Sequence, residues 1–98
     1  MMSTRQVIEL IEKHRSRYLF RPGRWFEADQ AYQRSVARGT ADICIARLED
    51  HPGENPAVIL WRLYDQLNHW YDQATTLKEW HWLSVARGTV KDILELIS

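Results

Sequence analysis

The chain has 98 residues, 45% of them hydrophobic and 27% charged, which suits one globular domain spanning 1–98 and excludes intrinsic disorder. Its net charge is zero, but residues 1–38 carry eight Lys/Arg against four Asp/Glu and residues 39–98 carry five against nine, so a basic N-terminal portion precedes an acidic remainder. The longest apolar run, Ala57-Val58-Ile59-Leu60-Trp61, is too short for a membrane span, no secretory signal pattern opens the chain, and the lone Cys44 rules out a disulfide framework; together these features point to a cytoplasmic protein.

In chain order, Ser3 and Gln6 are spaced as a capping box, and Val7, Ile8, Ile11, Tyr18 and Leu19 recur at helical spacing to about Phe20. Arg21-Pro22-Gly23-Arg24 breaks that helix, because proline lacks an amide and glycine tolerates positive φ. Trp25, Ala28, Tyr32 and Val36 then mark one side of a second, shorter helix.

The hexapeptide Ser35-Val36-Ala37-Arg38-Gly39-Thr40 recurs unchanged 49 residues later as Ser84-Val85-Ala86-Arg87-Gly88-Thr89. Its chemistry reads as a helix-to-helix junction: Arg at the negative end of one helix, Gly in the left-handed position beyond it, Thr as the N-cap of the next. The third helix would then carry Ala41, Cys44, Ile45 and Leu48 on one face. Cys44, between two isoleucines, reads as a buried small hydrophobe rather than a nucleophile.

His51-Pro52-Gly53-Glu54-Asn55-Pro56 is a central loop, and Asn55 followed by Pro56 is a strong helix start. The helix from there to about Ala74 carries Leu60, Leu63, Tyr64, Leu67, Trp70, Tyr71 and Ala74 as its apolar stripe. Thr76 and Glu79 form another capping box, opening a short helix to Arg87; the second junction and a final helix, Val90 to Ile97, follow. No stretch alternates with period two. The expected fold is therefore all-α, a compact bundle of about six helices, with halves 1–50 and 51–98 as degenerate repeats of about 49 residues or as users of the same capping device.

Function is less legible. Eleven aromatics, five of them Trp, exceed the needs of such a bundle. Trp80 and Trp82 are about 200° apart around one helix and cannot share one core. Trp61 lies off the main stripe of its helix. Trp61, Trp80 and Trp82 are thus candidate partner-binding residues, since buried Trp dominates many interfaces. The segment 13–26 interleaves Lys13, Arg15, Arg17, Arg21 and Arg24 with aromatics, as do surfaces that bind phosphates and unpaired bases. Arg38 and Arg87, beside candidate helix starts, complete the anion- or nucleic-acid-binding candidates.

Asp65, His69 and Asp72 share one helical face, but they match no metal motif, and Arg62 and Gln73 on the same face mark it as solvated. No helix-turn-helix is convincing at either junction, the turn being too short. No catalytic constellation, metal site or cofactor loop stands out. The expected function is a small, non-enzymatic protein-interaction module, a regulator or adaptor that binds another protein or itself as a homodimer. The alternative is a nucleic-acid-binding module using segment 13–26.

Overall fold

The computed structural model describes residues 2–17 and 30–98. They form four helices: α1 (Thr4–Arg17), α2 (Gln30–Asp50), α3 (Pro56–Gln73) and α4 (Leu77–Ile97). The all-α class agrees with the sequence; the number of helices does not. Four replace the expected six because neither Arg-Gly-Thr segment is a junction: Gly39 lies inside α2 and Gly88 inside α4.

Side-chain burial explains why both helices run through. On α2, Gln33, Val36, Ala37, Thr40, Ala41, Cys44 and Leu48 are all buried, at spacings of three and four that continue past Gly39 without a change of phase. On α4, Leu83, Ala86, Thr89, Val90, Ile93 and Leu94 do the same past Gly88. A mid-helix glycine costs only about 1 kcal/mol relative to alanine. Ending the helix there would turn half of this stripe away from the core, at about 1.5–3 kcal/mol for each large apolar side chain exposed. Burial wins.

The threonines are bonded as mid-helix residues. Thr40 Oγ1 donates to the Val36 carbonyl at 2.7 Å, and Thr89 Oγ1 to the Val85 carbonyl at 2.8 Å. Each hydroxyl thus bonds back along its own helix, as a mid-helix threonine does, rather than capping a forward amide. The two copies occupy the same kind of environment, with Val, Ala and Thr of each facing inward.

The real helix ends follow their capping signals. Ser3 N donates to Gln6 Oε1 at 2.8 Å and Gln6 N to Ser3 Oγ at 3.2 Å. Ala57 N donates to Asn55 Oδ1 at 3.0 Å, with Pro56 in the first turn of α3. Glu79 N donates to Thr76 Oγ1 at 3.1 Å. At the C-terminus of α2, His51 Nδ1 donates to the Arg47 carbonyl at 3.0 Å. The expected extension of the first helix to Phe20, the break at Arg21–Arg24, and Trp25 and Ala28 all lie outside the described residues.

In the packing, α4 lies against both α2 and α3, α2 also touches α3, and α1 covers α2. The core joins Val7 and Ile11 of α1 to the inward faces of the other three helices. The radius of gyration, 13.1 Å, is that of a compact chain of this length. None of the described helices is long and apolar enough to cross a membrane.

Candidate functional site

The three-helix unit α2–α3–α4 does not close completely at one end. Ile43, Thr40 and Arg47 of α2, Leu63, Leu67 and Trp70 of α3, and Trp82 and Ala86 of α4 enclose an apolar cleft of about 90 Å³. Trp70 and Trp82 also line an adjoining, open cavity of about 420 Å³, with Gln73, Glu79 and Leu83 on its other walls. The two indoles therefore stand between an inner apolar slot and an outer, partly polar bowl.

The position of Trp70 follows from α3. It continues the stripe of Leu63 and Leu67 but falls in the last turn, since the helix ends at Gln73 and is capped by Ala74. There the indole is 42% exposed, although Ala74, one turn on, is buried. Trp82, one residue before the buried Leu83, is half-buried and packs against the core. Ile43, beside the buried Cys44, is 43% exposed on the α2 wall. Arg47 Nη2 donates to Gln66 Oε1 at 3.1 Å, tying α2 to α3 along the edge of the slot.

Of the expected partner-binding residues, only Trp82 lines this groove. Trp61 is half-exposed on the first half of α3, its ring edge-on to Tyr64 at 5.5 Å between centroids. It lies nine residues before Trp70, about 13 Å along the axis. Trp80 is exposed and lines neither cavity, as its angular distance from Trp82 requires. The structure thus separates three tryptophans that sequence reasoning grouped, and adds Trp70 and Ile43. By its phase on the stripe Trp70 reads as core, and only the packing of the neighbouring helices leaves it exposed.

The basic candidates are dispersed. Arg15 is ion-paired with Asp42, joining α1 to α2. Arg17 closes α1, and its side chain, like Arg21 and Arg24, lies outside the described residues. Arg38 is exposed in mid-α2. Arg87 Nη1 donates to Asn68 Oδ1 at 3.0 Å, and its guanidinium carbon lies 4.0 Å over the Tyr71 ring. Because Arg38 and Arg87 sit within helices rather than at helix starts, the free amides expected beside them are absent, and so is the turn that a helix-turn-helix would need.

Asp65, His69 and Asp72 are exposed along α3, and no group of three or more His, Cys, Asp or Glu among the described residues is arranged to hold a metal ion. Cys44 is fully buried, and desolvation pushes its thiol up to about 12 against a weaker opposing pull from Arg47. A thiol in that setting stays protonated and is a poor nucleophile. Comparison of the chain with protein-family models, curated proteins and solved structures finds no match in any of the three.

Proposed function

We propose that this chain is a non-enzymatic protein-interaction module, a small regulator or adaptor, and that the groove between Trp70 and Trp82 is its docking face. The observation that carries this reading is the pair of indoles shared by the inner slot and the outer bowl. A concave, mostly apolar surface with Trp at its centre and polar groups at its rim has the composition of an interface hot spot. A second copy of the chain is the first partner to test, because Trp61, Trp80, Val58 and Leu77 are also exposed. Arg15, held by Asp42, would contribute to steering rather than to the contact itself. The single buried thiol fits a reducing compartment such as the cytoplasm.

Sedimentation velocity over a wide concentration range tests the reading, with Trp70→Ala, Trp61→Ala and Trp80→Ala beside the wild type. We expect a concentration-dependent dimer whose dissociation constant rises about tenfold or more in Trp70→Ala, as loss of a hot-spot side chain implies. A strictly monomeric wild type removes the second copy as partner. A dimer indifferent to Trp70→Ala removes the groove. Binding of single-stranded DNA or RNA that weakens steeply with salt would instead favour the nucleic-acid reading through segment 13–26.

A further inference from the structure

The outer bowl has a feature that a purely apolar docking groove would not need. Beside Trp70 and Trp82, its wall includes Glu79 and Gln73. Glu79 is held in place at the start of α4: its amide donates to Thr76 Oγ1 at 3.1 Å, and the Thr76 hydroxyl donates to Glu79 Oε1 at 3.0 Å. The cation in the adjoining slot's wall, Arg47, donates to Gln66 Oε1 at 3.1 Å, and no Lys or Arg among the described residues lines the bowl itself. Indole faces carry negative charge density, and a cation over such a face gains roughly two- to thirtyfold in affinity, more when water is excluded. A carboxylate at the rim adds charge of the same sign.

From this juxtaposition we infer that the bowl receives a cationic side chain, Arg or Lys, presented by the partner protein, with an adjacent aliphatic residue entering the slot behind it. The slot, about 90 Å³, has Ile43, Leu63, Leu67 and Ala86 in its wall beside Thr40 and Arg47, and is sized for an aliphatic side chain. The bowl is larger, open to solvent and has the carboxylate. A free small cation would occupy only the bowl. A chain carrying both residues fills both cavities. The inference rests on the groove being the docking face, and it names the chemistry of what docks there.

The test is an NMR titration of the indole N–H resonances with acetyl-Leu-Arg-amide and with its neutral counterpart, acetyl-Leu-citrulline-amide. Trp70→Phe and Trp82→Phe assign the two signals. We expect the Arg peptide to shift both resonances saturably and the citrulline peptide to bind about fivefold or more weakly. Glu79→Gln should weaken the Arg peptide severalfold with no loss of helical circular dichroism, because Gln serves equally at this position of a capping box. Equal affinity for the two peptides, an unchanged Glu79→Gln, or shifts confined to the other three tryptophans would overturn the inference. Choline binding as tightly as the Arg peptide would assign the bowl to a free quaternary ammonium and overturn the partner side chain. Failure here, with dimerisation still sensitive to Trp70→Ala, leaves the docking face standing. Success here, with dimerisation indifferent to Trp70→Ala, leaves the cation site standing without a second copy as its source.

Discussion

Arg87 of α4 donates from Nη1 to Asn68 Oδ1 of α3 at 3.0 Å while its guanidinium lies 4.0 Å over the neighbouring Tyr71 ring. Its counterpart in the other copy of the hexapeptide, Arg38, is exposed on α2. In α4 the arginine of this hexapeptide thus fastens one helix to another.

Arg87 should therefore be sensitive to replacement by lysine. A lysine at 87 keeps the charge but loses the planar fork that both bonds an amide and stacks on a ring. Arg87→Lys is expected to cost about 1–2 kcal/mol, read from urea unfolding midpoints at constant slope. A loss below about 0.5 kcal/mol would show that the contact with Asn68 and Tyr71 contributes nothing.

Gly39 separates the two architectures. In a left-handed position past a helix end, alanine there would be strained and destabilising. Inside α2, where a Cβ on Gly39 meets nothing within 4 Å, alanine removes only the entropic penalty of glycine. Gly39→Ala is expected to stabilise by up to about 1 kcal/mol, a rise of about 4–8 °C in melting temperature for a domain of this size. A fall in melting temperature would restore the junction.

The threonines of the repeat provide a matched pair of substitutions. Each hydroxyl bonds a carbonyl one turn back that also belongs to the helix's own ladder. Valine has nearly the same shape and leaves that carbonyl bonded to its amide. Thr40→Val and Thr89→Val should each change stability by less than about 1 kcal/mol in calorimetric or urea unfolding. A loss of several kcal/mol at either would mean that the hydroxyl is needed for more than its own helix.

Cys44 makes the fold sensitive to alkali. Burial raises its thiol from 9.0 to about 12, so above the unfolded value the unfolded chain loses its proton first. The contribution is fully present below pH 9.0 and is lost as pH rises towards 12, with a slope near 1.4 kcal/mol per pH unit. Cys44→Ala, whatever its own cost in packing, should lose stability less steeply over that range than the wild type. In the native protein at pH 8, a thiol reagent should label Cys44 only as fast as the protein opens. Immediate labelling would contradict its burial.

Capping chemistry was readable because it is local. The Ser3–Gln6 box, the Asn55–Pro56 start and the Thr76–Glu79 box each involve residues a few positions apart, and all three appear as bonds. The Arg-Gly-Thr segments misled because Gly and Thr after Arg have the same local preferences as a helix end. The stripe from Val36 and Ala37 through Thr40 and Ala41 to Cys44 is the opposing signal, and its unbroken phase outweighs the glycine. The angle between Trp80 and Trp82 shows in the sequence that one of them leaves the core, whereas the phase of Trp70 on α3 reads as core.

The amino-acid sequence by itself determined the all-α class, the burial of Cys44 and the beginnings of α1, α3 and α4, since periodicity and capping act within one or two turns of chain. Tertiary packing decided that α2 and α4 run unbroken through their glycines, because only contact with neighbouring helices makes a continuous buried stripe worth more than a local stop. It also decided which tryptophans share a surface. Trp70 and Trp82 are brought together by the packing of α3 on α4, and that packing depends on every side chain between the two helices rather than on the spacing along either one.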